Sequence, residues 1–387
     1  MTQLSSDEGG ELARPAESRS DPELLRTRLE TWIRGKAGPD AAVTRVEVPS
    51  ANGMSSETLL ADARWDGSEH ALAVRIAPSA QSDPVFESYD LPGQFQVIGH
   101  VAAHTAVPLP ELLWCEPDTG PLGAPFFVMS RVDGRIPPDV MPYTFDSWVT
   151  AASDAQRAEL TRNSVAVLAQ VHSAPIDGAG LEQPQPGETP LTAHVRRLRA
   201  FYDWASTGRA GAPLIERGFG WILENLPEET DPVLCWGDAR IGNIIYGEND
   251  FAPRAVLDWE MAAIGPRELD VAWMIFIHRF FQDLTVAAGL AGLPYFLRRA
   301  DVVDHYAERT GYRPQHMDFY TLYAALIHAV VMYRVTTRTI HFGQAVEPDD
   351  PDDMIMHRAT LEAMLAGTYW TELPCHAVGP VWPPVAV

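Results

Sequence analysis

The sequence predicts an α+β protein of two lobes, a small antiparallel sheet followed by a larger, mainly helical part. Hydrophobic residues alternate with a period of two between about Val43 and Ser130, then repeat at helical spacing after Gly134. Strand-like runs return briefly near Val233, Ile244 and Ala255. A chain of 387 residues also exceeds the length at which one hydrophobic core usually divides.

Residues 1–20 are rich in Ser, Glu, Asp and Gly, with almost no large apolar side chain, and are expected to form a disordered tail. Asp21-Pro22 resembles an N-cap with proline at the first helical position, and Leu25, Leu29, Trp32 and Ile33 follow on one helical face. Strands are expected at Val43–Val48, Glu57–Trp65 and His70–Ala77, with the first turn at Asn52-Gly53-Met54-Ser55-Ser56. Leu112–Glu116 and Phe126–Ser130 supply two more, around a helical insertion near Pro92–His104. The lobes are thus 21–130 and 131–387.

In the second lobe Leu160, Val165, Leu168 and Val171 mark one helix, and Arg196, Arg197 and Arg199 lie on the helix after the Pro- and Gln-rich loop near Leu181–Pro190. Short strands are expected near Val233–Trp236, Ile244–Tyr246 and Ala255–Leu257. The longest apolar stretch, Phe319–Tyr333, contains His328 and falls short of the ~20 residues that span a bilayer. It reads as a buried helix. An acidic loop, Glu347 to Asp353, and a Pro-rich tail end the chain.

Fifty-two acidic residues against twenty-nine basic ones give a net charge of −23, a field that repels nucleic acid and anionic membranes. Neither is expected as a partner. The three cysteines stand far apart without metal-ligand spacing, which suggests reduced thiols and a cytoplasmic address. No basic segment followed by an apolar run marks the N-terminus, so no secretory signal is expected.

The strongest chemical signal is Trp236-Gly237-Asp238-Ala239-Arg240-Ile241-Gly242-Asn243, followed by Val256-Leu257-Asp258-Trp259-Glu260. Phosphoryl transfer needs a base near the attacking hydroxyl and cations that neutralise the moving phosphate. An Asp and an Asn on one loop, with a second Asp ending a nearby apolar strand, form an oxygen site for a hard ion such as magnesium.

These segments resemble the catalytic loop and metal-binding strand of the aminoglycoside phosphotransferase family, which shares its fold with protein kinases. The resemblance spans roughly Val43 to Leu365 and implies a bilobal, protein-kinase-like fold. It implies Asp238 as catalytic base, Asn243 and Asp258 as Mg2+ ligands, and Asp270, in Glu268-Leu269-Asp270-Val271-Ala272-Trp273, as support for the loop. Trp236 stands where the family usually has a scaffolding histidine. Arg240 is placed either to touch the moving phosphate or to lie as a solvated surface arginine.

By the same resemblance the first lobe holds the nucleotide, ATP or GTP. Ser55 and Ser56 would cover its phosphates in a loop of small residues. Arg75 stands where the family usually has a phosphate-binding lysine; its helical partner would be Gln94 or Glu87. Phe126–Gly134 resembles the last strand and hinge, with Met129 behind the adenine and the Ser130 carbonyl and Val132 N–H on its edge.

His172 and His328 are expected as packed or capping histidines. The acidic run at Glu347–Asp353 would either rim a cationic substrate site or be a solvated loop. The implied reaction is transfer of a γ-phosphoryl group to the hydroxyl of a small substrate. That acceptor is an aminoglycoside, or a hydroxyacyl-CoA or other metabolite, for which Arg196, Arg197 and Arg199 are the one evident basic cluster. A catalytically silent, nucleotide-binding regulator is the competing class, given the changes at Arg75, Gln94 and Trp236.

Overall fold

Asp21 opens the first helix by accepting a hydrogen bond on its side chain from the Glu23 N–H, with Pro22 at the first position. The computed structural model describes residues 21–49, 57–78, 83–228 and 231–373. The segments 1–20 and 374–387, and Ser55 and Ser56 with their turn, lie outside the described residues.

Helix α1 (Pro22–Ala37) buries Leu25, Leu29 and Ile33 against the sheet that follows. Strands β1 (Ala42–Glu47), β2 (Glu57–Trp65) and β3 (Ser68–Ile76) form an antiparallel meander, and α2 (Leu91–His104) precedes β4 (Leu112–Glu116) and β5 (Phe126–Ser130). The sheet order is β1-β2-β3-β5-β4. Pairing β5 to β3 places Phe127 opposite Arg75 and Met129 opposite Ala73. The expected strands thus lie within about two residues of those observed.

Beyond Ser130 the chain leaves the sheet through Gly134, whose φ of +154° only glycine adopts readily. A Cβ there would lie 2.5 Å from the Tyr246 carbonyl oxygen, so the hinge passes directly against the second lobe. Arg135 and Tyr246 exchange both backbone hydrogen bonds at 2.9 Å.

The helical lobe comprises α3 (Trp148–Ala151), α4 (Asp154–Val171), α5 (Pro190–Ala205) and α6 (Pro213–Glu224), then, after the strands, α7 (Glu268–Ala287), α8 (Arg299–Thr310), α9 (Met317–His341), α10 (Arg358–Leu365) and α11 (Tyr369–Glu372). Between α6 and α7 lie β6 (Val233–Cys235), β7 (Ile244–Tyr246), β8 (Pro253–Val256) and β9 (Ala263–Gly265). They form two small antiparallel pairs, β6–β9 and β7–β8. Sequence periodicity did not reveal β9, because three residues are too few to show alternation.

Helix α9 is the one described helix long and apolar enough to cross a membrane, yet 83% of its most apolar window is buried inside the protein. It packs against α7, α5 and α6 as the central core helix, longer than the expected Phe319–Tyr333.

Buried histidines give this core an acid sensitivity. Burial, with Arg197 nearby, depresses His194 to about 3; its Nδ1 lies 2.7 Å from the Tyr323 hydroxyl. Burial depresses His357 to about 4, against the opposing pull of its hydrogen bond to the Ala325 carbonyl. Both stay neutral in the fold while the unfolded chain titrates near pH 6.5, so stability is full above that value and falls as pH drops toward the folded pKa values. Between pH 7 and pH 5 each histidine is expected to cost roughly 2 kcal/mol, read from denaturant midpoints. The double variant His194→Asn, His357→Asn should lose the part of the slope these two carry, while His328, depressed by burial beside His357, keeps its own.

Candidate functional site

Asp238 follows β6 on a turn that only glycine can begin. Gly237 has φ +90°, and a Cβ there would stand 2.1 Å from the Met261 carbonyl oxygen. Asp270, fully buried in the first turn of α7, holds this turn in place. Its Oδ2 accepts from the Trp236 N–H at 2.7 Å and its Oδ1 from the Gly237 N–H at 2.9 Å.

His172 lies 2.9 Å from Asp270 Oδ2 through Nε2, and its Nδ1 lies 2.7 Å from the Tyr306 hydroxyl. A proton on Nε2 suits the carboxylate and leaves Nδ1 to accept from the tyrosine. Cys235 is nearby, but its thiol points at the Gly265 and Pro266 carbonyls and burial pushes its pKa well up. With both imidazole nitrogens occupied, the trio His172, Cys235 and Asp270 reads as loop support and not as a metal centre.

Asp258 reaches the same place by strand pairing. Ile244 pairs with Val256, and the Leu257 N–H donates to the Asn243 carbonyl at 2.8 Å, so Asn243 and Asp258 sit at one end of the β7–β8 ladder. Asp258 has φ +62°, a left-handed conformation that turns the chain sharply at the strand end. Trp236 Nε1 donates to the carbonyls of Leu257 (2.9 Å) and Asp258 (3.1 Å). The indole thereby ties the loop after β6 to the end of β8.

The Asp238 carboxylate is densely bonded. Arg240 Nε lies 3.0 and 2.9 Å from its two oxygens, Trp273 Nε1 donates to Oδ1 at 2.7 Å, and Asn243 Nδ2 to Oδ2 at 2.6 Å. Arg240 also donates through Nη1 to Asp139 Oδ2. Burial disfavours the Arg240 charge, but Asp238 and Asp139 outweigh it and raise its pKa. Burial likewise pushes the Asp139 carboxyl up, against the pull of Arg240. Of the two placements expected for Arg240, the solvated surface position is therefore ruled out.

Arg75 departs from both expected partners. Its Nη2 donates to Asp258 Oδ1 at 2.5 Å and to Glu260 Oε2 at 3.2 Å, whereas Gln94 is buried on α2 and Glu87 is exposed. Burial opposes the guanidinium charge and the two carboxylates more than restore it. In a poorly solvated cleft an arginine chooses two anions over one neutral amide. Ser130 and Arg131 are the last residues of this stretch held to the sheet: the Ser130 N–H donates to the Glu111 carbonyl at 2.8 Å and the Arg131 N–H to that of Ala71 at 2.8 Å. Met129 is buried, and Val132 is partly exposed at the start of the crossing.

Three functional neighbours were not assigned from sequence: Asp139, Trp273 and Glu260. Trp273 and Glu260 stand inside the motifs that carried the reading, but their contacts depend on how α7 and Arg75 approach. Asp139 lies about a hundred residues before the loop it touches, in Pro137-Pro138-Asp139-Val140-Met141-Pro142-Tyr143, a segment that shares in the family resemblance without showing which residue Asp139 contacts.

A sheet lobe joined to a helical lobe, with the loop and strand carboxylates meeting between them, is the architecture of protein-kinase-like phosphotransferases. The chain belongs to the phosphotransferase enzyme family, whose sequence profile matches residues 61–309. Among curated proteins it is 32% identical over 167 residues to acyl-CoA dehydrogenase family member 11 of Homo sapiens, which covers 43% of this chain and 20% of that protein. It is 23% identical over 264 residues to the probable acyl-CoA dehydrogenase IBR3 of Arabidopsis thaliana, covering 64% of this chain and 31% of that one. The chain thus spans about a third or less of the curated relatives it matches.

Among solved structures, a candidate aminoglycoside phosphotransferase of Ralstonia eutropha is 20% identical with a TM-score of 0.62, covering 89% of this chain and 98% of that one. The GDP and kanamycin complex of APH(2")-IIIa is 14% identical with a TM-score of 0.53, covering 87% and 98%. Macrolide 2'-phosphotransferase type I is 14% identical with a TM-score of 0.53, covering 88% and 96%. At these identities the likeness speaks to the fold, the protein-kinase-like α+β architecture expected from the sequence.

Proposed function

We propose that this chain is a magnesium-dependent kinase that moves the γ-phosphoryl group of ATP or GTP to a hydroxyl group of a small molecule. The observation that carries the reading is the hydrogen-bonded cluster of Asp238, Arg240 and Asn243, with Asp258 beside it at the end of the β7–β8 ladder. Asp238 orients the acceptor hydroxyl and takes its proton as the oxygen attacks phosphorus in line with the departing diphosphate. Asn243 and Asp258 offer oxygen donors that suit a hard cation, and magnesium bound there would neutralise charge on the phosphate oxygens. Arg75 and Arg240 supply further positive charge.

Residues 21–130 are the nucleotide lobe in this reading, with Ser55, Ser56 and Gln94 near the phosphates and Met129, Ser130 and Val132 around the base. Residues 131–387 carry the acceptor site. The GDP and kanamycin complex of APH(2")-IIIa, and the ADP and hygromycin B complex of APH(4)-Ia, support a nucleotide and a small polyhydroxylated acceptor as ligands. A cytoplasmic location accords with the reduced thiols and the acidic surface.

A second reading names a metabolite hydroxyl, such as that of a hydroxyacyl-CoA, as acceptor. It is favoured by the acyl-CoA dehydrogenase names of the curated relatives. The charges expected to separate the two are largely spent. Arg196 pairs with Glu182 and Glu188, and Arg199 with Asp203 and Glu216. Glu347 pairs with Arg209, and Asp350 and Asp353 with Arg358. Arg197, whose nearest carboxylate oxygen is 4.0 Å away on Glu182, and the exposed Asp349 are the less committed members of the two clusters.

The test is transfer from ATP and from GTP, with magnesium and after its removal by chelation, to kanamycin-type aminoglycosides, choline, homoserine and short hydroxyacyl-CoA esters. Magnesium-dependent transfer to one class establishes the kinase and its acceptor. Tight nucleotide binding without transfer to any of them would point to the silent regulator. No nucleotide binding would overturn the reading.

A further inference from the structure

We propose that Asp139 is a positioning residue that anchors Arg240 while its guanidinium turns from the Asp238 carboxylate to the γ-phosphoryl group of a bound nucleotide. The inference rests on the kinase reading above and deepens it.

The starting point is a carboxylate crowded by donors. An ionised carboxylate offers about four lone-pair directions. At Asp238 three N–H donors share them: the single hydrogen of Arg240 Nε lies between both oxygens, Trp273 Nε1 donates to Oδ1 and Asn243 Nδ2 to Oδ2. A hydroxyl that is to donate to Asp238 competes with Arg240 for the position between its two oxygens. Trp273 is buried in α7, and Asn243 is buried with its backbone in the β7–β8 ladder. Arg240 has the long, jointed side chain and is 20% exposed. It is the donor that can move.

A cation leaving a carboxylate goes to the strongest anion within reach, which in a loaded site is the terminal phosphate. Without a second contact the guanidinium would be free to swing into solvent. Asp139 supplies that contact through Oδ2, and its own Oδ1 is buried without a hydrogen-bond partner. A buried carboxylate oxygen without a donor is costly in the resting state. It becomes useful if it receives a second N–H of Arg240 once Nε leaves Asp238, making the Asp139 contact bidentate.

Gly242 keeps this path open. A Cβ there would lie 2.5 Å from Arg240 Nη1 and 2.5 Å from Asp139 Oδ1. The pair therefore occupies a space that any side chain at 242 would fill. Arrival of the γ-phosphate and freeing of the base are coupled in this arrangement, so Asp238 opens fully to a hydroxyl when there is a phosphoryl group to transfer.

The test is a double-mutant cycle on the full chain, with magnesium and two probes: ADP, and the β,γ-imido analogue of ATP, with the guanine pair run alongside. Arg240→Ala should reduce the preference for the triphosphate analogue over the diphosphate by about tenfold or more, the worth of a charge-assisted hydrogen bond. Asp139→Asn should reduce the same preference by about fivefold when Arg240 is present, and change it by less than about 1.5-fold in the Arg240→Ala background. Diphosphate affinity serves as the internal control for folding and for general charge effects. If Asp139→Asn does not fold, Asp139→Glu, which keeps the charge one methylene further out, replaces it in the same cycle. A preference unchanged by either substitution, or a loss that adds in full to that of Arg240→Ala, would overturn the proposal while leaving the kinase reading intact. A wild-type chain that binds neither probe would remove the kinase reading and this inference together.

Discussion

Asp238→Ala is expected to lower the rate constant for phosphoryl transfer by about 10²–10⁴-fold, the span a positioned general base supplies, with nucleotide affinity changed by less than about threefold. The carboxylate is held by Arg240, Asn243 and Trp273 together, so its oxygens are fixed before any substrate arrives. Single-turnover measurements with saturating nucleotide separate the chemical step from binding. A rate constant within about tenfold of wild type would place the base elsewhere and reduce Asp238 to a partner of Arg240.

Asp270→Ala should act on the fold itself. Three donors converge on this fully buried carboxylate: the N–H groups of Trp236 and Gly237, and His172. Each buried group left without a partner costs about 1–3 kcal/mol, so a total loss of roughly 3–5 kcal/mol is expected. Denaturant unfolding measures it directly. Because the turn at Gly237 aims Asp238, activity per folded molecule should fall as well. Asp270→Asn, with one accepting oxygen for three donors, should lie between the two. A loss below about 1 kcal/mol would mean that the loop is held chiefly by the Trp236 indole and the β6–β9 pair.

The loop after β6 and the end of β8 were legible as a cluster because their residues are contiguous. Asp238, Arg240 and Asn243 share one turn, and Asp258 ends an apolar run of strand character. The sheet strands were legible for a similar reason: a period of two survives in nine-residue segments such as β2 and β3. The pairing of Arg75 was not. Its place on β3 follows from sequence, but its choice of Asp258 and Glu260 over Gln94 depends on how closely the two lobes approach, and no local pattern encodes that separation. At Trp236 the sequence shows only an aromatic in place of the family's usual histidine, while the bond of its indole to the far strand is visible only in three dimensions.

By itself, then, the sequence determined the two-lobed α+β architecture, the phosphotransferase class and the carboxylates and amide of the loop and strand. These depend on periodicity and on short-range spacing, which chain connectivity enforces. The tertiary structure alone decided that Arg75 rests on two carboxylates, that Trp273 reaches Asp238 from α7, and that Asp139 holds the other end of Arg240. The physical reason is that a guanidinium or carboxylate is satisfied by whichever counter-charge folding brings within about 3 Å, and such neighbours are set by packing of distant elements rather than by distance along the chain.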